Sequence, residues 1–310
     1  MTVESRQRLG ADSALVLIAF IWGATFIIVK RALNDISPTL FLAIRFSIAA
    51  VLLAVAFRGR WLPPRQRLCR TVQRGAILGA CLIIGYILQT LGLEHTTASK
   101  AGFITGFYIP LVPFLLIFVI RNGRFEAIWP KPVEALGILI ATFGVVLMTL
   151  PDVRLNVSHG DLLVLASTLA YAVQIILLGR WSGKIPFESL AVIQIGAAAL
   201  FAALAFPFVD LPARLAVTGP VVFAVFISAV FATAVAFGLQ SWAQQHTTPT
   251  RTALIFALEP LFAWLTAWLA EGEKLTAKAT FGGLAILAGM LLVELKPSVP
   301  TGHPVKRVEL

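Results

Sequence analysis

Two ionisable residues stand deep inside apolar stretches of this chain, Arg45 within 38–57 and Glu259 within 250–270. An arginine at the centre of a membrane helix costs about 2.5–3.5 kcal/mol on insertion scales, so it must face a packed interior or a wet cavity. There it can hold a carboxylate or another anion. It could equally form a structural ion pair, or snorkel its long side chain to the surface. Glu259 immediately precedes Pro260. Proline removes a backbone donor and loosens a helix, so Pro260 and Pro110 are the expected hinges. A carboxyl beside a hinge can bind an amine or take up a proton, because burial disfavours its charged form. It could also pair with Arg45, or cap freed backbone groups, and serve the fold alone.

Other polar and aromatic side chains fall within apolar segments: Trp22, Tyr86, Gln89, Tyr108, Tyr171, Gln174, Gln194, Gln240 and Trp242. Tyr86 and Gln89 share a helix face by their spacing, as do Tyr171 and Gln174. Such faces suit a cavity for a ring or an amide. They suit equally the hydrogen bonds between membrane helices, worth about 0.6 kcal/mol each. A six-residue phrase also occurs twice: His95-Thr96-Thr97-Ala98-Ser99-Lys100 and His246-Thr247-Thr248-Pro249-Thr250-Arg251, about 150 residues apart. Its threonines can cap the helices that follow. Lys100 and Arg251 then fall in a first turn, where a cation opposes the helix dipole. Glu94 is the expected partner of Lys100, whereas the equivalent Gln245 leaves Arg251 without one. His95, Lys100, His246 and Arg251 are therefore candidates for gates or vestibules, with basic residues snorkelling to headgroups as the structural alternative. The four histidines are scattered, and no phosphate-binding loop is present. No metal site, cofactor or catalytic residue is expected.

The elements that must position these residues follow from composition. The chain has 310 residues, 58% of them hydrophobic and 13% charged, with mean hydropathy +0.89. Soluble domains carry about 25% charge, so this is an integral membrane protein. The net charge of +10 comes without a basic stripe interleaved with aromatics, which argues against a nucleic-acid partner. Cys69 and Cys81 make no disulfide framework. Apolar runs broken by Pro, Gly and charge predict ten helices, at 13–32, 38–57, 72–93, 98–120, 133–150, 161–180, 187–208, 218–243, 250–270 and 279–295. Each is long enough to cross a hydrocarbon core of about 30 Å. The N-terminal side of this topology collects 17 Lys and Arg against 7 on the other. That bias predicts cytoplasmic termini, 1–12 and 296–310.

Further echoes define a repeat. Gly137 and Gly144 match Gly282 and Gly289, and Pro38 matches Pro186. The unit is five helices, 13–150 and 161–295. Five is odd, so the second copy enters the membrane inverted. Two inverted halves around a central site are a transporter design. Glu259 corresponds to Ile109, so this acid breaks the symmetry. Small residues four apart, Gly75 with Gly79 and Gly102 with Gly106, predict close helix approach.

Specific stretches carry a resemblance: Trp22-Gly23-Ala24-Thr25-Phe26, Ala43-Ile44-Arg45-Phe46, Leu258-Glu259-Pro260-Leu261-Phe262 and Trp268-Leu269-Ala270-Glu271-Gly272-Glu273. In order and spacing they resemble the EamA-type branch of the drug/metabolite transporter superfamily, from about residue 13 to 295. Glu271 departs from the family pattern by adding a second acid before the final Gly-Glu. The resemblance implies a ten-helix secondary carrier of small metabolites, often an exporter of amino acids or related compounds. Expected partners are the lipid bilayer of the cell membrane, a small-molecule substrate and a coupling proton, with the chain a monomer or homodimer. A membrane enzyme and a channel are the alternatives. An enzyme would need clustered catalytic groups and a channel a continuous polar stripe, and neither pattern is evident.

Overall fold

The computed structural model describes residues 3–118, 120–121, 124–125, 129–149, 158–210, 212–272 and 277–294. The expected C-terminal tail, 296–310, lies outside the described residues. The helices are α1 (Val3–Ala32), α2 (Pro38–Ala56), α3 (Arg65–Glu94), α4 (Ala98–Thr105), α5 (Tyr108–Ile117), α6 (Pro132–Thr149) and α7 (His159–Ser182). After these come α8 (Phe187–Val209), α9 (Gly219–Ala229), a π-helical turn (Val230–Val235), α10 (Ala236–Ala243), α11 (Pro249–Phe256), α12 (Leu258–Glu271) and α13 (Ala277–Glu294). A short antiparallel ribbon of two residues a side, β1 (Ile120–Arg121) with β2 (Arg124–Phe125), lies in the connection from α5 to α6 of this otherwise helical chain.

Helical structure occupies all ten expected places, but its bounds differ. Among the described residues, 8 helical stretches are long and apolar enough to cross a membrane. The fifth and tenth, Pro132–Met148 and Ala277–Val293, are shorter apolar helices. The first begins at Val3 rather than 13, because Val3–Asp12 holds no proline and its one glycine, Gly10, is tolerated within the helix. The expected helices 98–120 and 250–270 are each broken in two, at Gly106–Phe107 and at Ala257. The hinges therefore lie about one turn before Pro110 and Pro260, not at the prolines. Each proline ring conflicts with the carbonyl four residues back, here Gly106 and Phe256, so the break falls there. The first break holds two residues and the second one, so the offset between the two copies shrinks by one across it.

Glycine governs how the helices pack. A methyl on Gly79 would lie 2.6 Å from the Gln194 carbonyl of α8, and one on Gly92 would lie 2.6 Å from the Gly160 carbonyl of α7. Gly137 and Gly289 face each other across α6 and α13, and so do Gly144 and Gly282. These two helices therefore cross antiparallel. Elsewhere α1 lies between α12 and α10, α2 packs on α8, and α5 on α7 and α11. Trp22 touches both large clusters of buried apolar side chains and joins them. Outward faces remain apolar, with Leu139, Phe143, Leu200, Phe226 and Leu284 all more than half exposed. Large apolar side chains exposed on α6, α8, α9 and α13 suit lipid rather than water.

Candidate functional site

The π-turn builds the first part of the site. Its wider winding shifts the hydrogen-bond register, a distortion frequent at functional sites. Thr233 Oγ1 donates to Ser228 O (2.8 Å), five residues back. The Ala232 carbonyl accepts from Trp22 Nε1 (2.9 Å) and from Arg45 Nη2 (3.2 Å). Arg45 Nε donates to Thr233 Oγ1 at 2.7 Å. The guanidinium stands 4.7 Å from the Tyr86 ring centre and 5.5 Å from that of Phe46. Arg45 is only 4% exposed, so it does not snorkel. No hydrogen bond engages its Nη1 among the described residues.

The break between α11 and α12 builds the second part. Glu259 sits in the first turn of α12 and is 4% exposed. A helix N-terminus favours a carboxylate there. Its Oε2 lies 3.0 Å from the Tyr108 hydroxyl, which also stands 2.9 Å from the Phe256 carbonyl. Pro260 has no N–H to offer that carbonyl, so the Tyr108 hydroxyl takes the place of the missing helix bond. Tyr108 has one hydroxyl proton for these two acceptors. Among the described residues no ion pair joins Glu259 to Arg45, and each keeps a polar atom without a protein partner.

Both residues line one cavity of about 60 Å³. At about 10–15 Å³ of such volume per water, it has room for about four to six waters. Trp22, Tyr86, Gln89, Tyr108, Tyr171, Gln174 and Gln240 line it as well. The Trp22 ring packs 5.0 Å from Phe256 and 5.4 Å from Phe237, and Tyr86 meets Tyr171 edge-on at 5.5 Å. Tyr171 donates to Gln89 (2.9 Å), and Gln89 donates to Thr105 (3.0 Å). Gln174 and Gln240 belong to an amide chain that runs through Gln194 and Gln244 to Ser241 and the Ile175 carbonyl. The walls are thus aromatic and neutral-polar, with one cation and one acid among them.

Not every expected residue is there. Trp242 stands outside the cavity, its ring 5.1 Å from His246. His95 is exposed at the end of α3, and His246 Nδ1 lies 3.1 Å from the Trp242 carbonyl. The expected Glu94–Lys100 pair is not formed, because Glu94 pairs with Arg214 (2.6 Å). Lys100 instead reaches Asp161 at 2.5 Å. Arg251, expected to lack a partner, is held by Asp12 through Nε (3.1 Å) and Nη2 (2.8 Å). Of the repeated threonines, Thr97 and Thr248 cap α4 and α11, while Thr96 donates to Asp161. Sequence reasoning missed the lining residues Thr25, Thr90, Thr105, Phe237 and Phe256. Only Thr25 carried a signal, its spacing of three from Trp22.

Comparison with known proteins agrees with this architecture. The EamA-like transporter family matches residues 9–150 and again 158–295. An uncharacterized transporter of Archaeoglobus fulgidus is 32% identical over 294 residues, covering 94% of this chain and 88% of its own. The uncharacterized transporter YoaV of Bacillus subtilis is 21% identical, over 90% of this chain and 94% of its own. A chain of known crystal structure, 18% identical, superposes with TM-score 0.70 over 91% of this chain and 96% of its own, which speaks to the fold alone. On the extent of these matches the chain belongs to the EamA-like transporter family and is a multi-pass membrane transporter.

Proposed function

We propose that this chain is a secondary transporter that moves a small zwitterionic metabolite, an amino acid or related compound, by alternating access. The observation that carries this is the burial of Arg45 and Glu259 in one cavity without a mutual ion pair. Keeping one unneutralised cation and one acid in an apolar bundle is expensive. A ligand with a carboxylate for Arg45 Nη1 and an ammonium for Glu259 completes both. The aromatic walls accept the body of such a ligand and favour its cationic end.

The ten helical places act as ten spans, arranged as inverted repeats over 13–150 and 161–295. Two observations support this. The Gly137–Gly289 contact becomes the Gly282–Gly144 contact when the halves are exchanged. The helix breaks, moreover, fall at matched places after the two copies of the repeated phrase. The bias of 17 against 7 basic residues favours cytoplasmic termini in the cell membrane. Export is the direction suggested by the family resemblance, with a proton at Glu259 as the coupling ion.

Reconstitution in liposomes tests the proposal, with radiolabelled amino acids, amines and nucleosides and an imposed pH gradient. Saturable, ATP-independent flux with counterflow supports a carrier. Non-saturating conductance would indicate a channel. Product formation without flux would indicate an enzyme, and either result overturns the proposal.

A further inference from the structure

The two copies of the repeated phrase each present a cation to an acid on a helix of the other half. Lys100, at the start of α4, meets Asp161 at the start of α7. Arg251, at the start of α11, meets Asp12 in α1. The pairs lie at opposite ends of the bundle. Lys30, near the end of α1, donates to the carbonyls of Leu93 (2.6 Å) and Glu94 (3.0 Å), beside the Lys100 pair. Asp12 lies eighteen residues earlier on the same helix, about 27 Å away at 1.5 Å per residue.

We propose that Asp12 and Asp161 are gating residues: Asp12–Arg251 closes the end that carries the N-terminus, and Lys100–Asp161 closes the opposite end. This rests on the chain being a carrier. Each cation sits in the first turn of its helix, where the dipole repels it. An acid from the other half is what makes closure favourable, and parting the halves at that end removes it. The halves cannot part at one end without breaking that end's pair, while the pair at the other end holds.

The two gates differ in tightness. Arg251 grips Asp12 with two nitrogens, and both side chains are 10% exposed. Lys100 reaches Asp161 through its one ammonium nitrogen, and its side chain is 30% exposed. The cavity also reaches Val29 and Leu93, at the Lys100 end. Access is therefore easier from the Lys100 end in this conformation.

Cysteine accessibility tests this without knowledge of the substrate. Cys69 and Cys81 are first replaced, and Thr25→Cys reports on the cavity. A charged, membrane-impermeant methanethiosulfonate is applied separately to each face of oriented vesicles. The parent should label faster from the Lys100 face. Asp12→Asn should raise labelling from the Arg251 face by about tenfold, within the usual range of conformational coupling. Asp161→Asn should raise it from the Lys100 face only. Equal labelling of both variants from both faces, or no change in either, overturns the assignment. If an Asn variant fails to insert, the swapped pair Asp12→Arg with Arg251→Asp must restore the parent pattern, and failure to do so also overturns it. Absence of flux with every compound, alongside side-specific labelling, would reject the carrier and leave the two closures standing. Flux with unaltered labelling would reject the gates alone.

Discussion

Gly144→Ala should destabilise the protein although alanine is the better helix former. A methyl at Gly144 would lie 2.5 Å from the Gly282 carbonyl and 2.9 Å from both Cγ1 and the backbone nitrogen of Ile286. Ordinary contacts begin near 3.4 Å. The α6–α13 crossing must therefore open by up to about 1 Å. Neighbouring contacts hold it closed, because Gly289 meets the Gly137 carbonyl at 2.5 Å on the same measure. Overpacking of this kind costs about 1–3 kcal/mol. Exchanging glycine for alanine in a helix returns about 1 kcal/mol, so the net loss is about 0–2 kcal/mol relative to the parent and the full ~1–3 kcal/mol relative to an alanine that meets nothing. Gly196, within α8, is the control, since nothing lies within 4 Å of a methyl built there. Gly196→Ala should keep the propensity gain and melt at or above the parent. Thermal unfolding in one detergent, followed by tryptophan fluorescence, reads both variants. A Gly144→Ala protein as stable as Gly196→Ala would refute the close glycine crossing.

Other perturbations address the cavity. Arg45→Ala should abolish flux while the protein still inserts and folds; aggregation in place of a folded, inactive carrier would make Arg45 structural. Glu259→Gln should lower flux, because the substrate ammonium loses its carboxylate, and should leave the remaining flux independent of pH with expression intact; an unchanged pH profile would eliminate Glu259 as the proton site. Thr233→Val keeps the shape of the π-turn but removes the acceptor of Arg45 Nε. Hydrogen bonds to charged groups are worth about 1.5–3 kcal/mol, so the half-saturating substrate concentration should rise at least tenfold; a parental value would show that Thr233 does not orient Arg45.

Much of the framework is legible from the chain itself. Hydrophobic content, the ten apolar segments and the repeated glycines all report local or periodic constraints, and a helix in a bilayer must satisfy its backbone within its own segment. Arg45 and Glu259 also stood out in the sequence, because ionisable groups in apolar runs are costly enough to be rare. Proline marked the hinges to within a turn, and its clash with the carbonyl four residues back accounts for the shift to Gly106 and Ala257.

What the sequence by itself determined is therefore the membrane class, the approximate helices and the residues too expensive to be idle. Only the tertiary structure decided their partners. Arg45 meets Thr233 and Ala232 of a π-turn, Glu259 meets Tyr108, and Lys100 turns from nearby Glu94 to Asp161. Arg251 finds Asp12, which is 239 positions away in the chain. Such choices depend on which helices cross and at what depth. Crossing is set by small residues spread over the whole chain, and no local spacing records it.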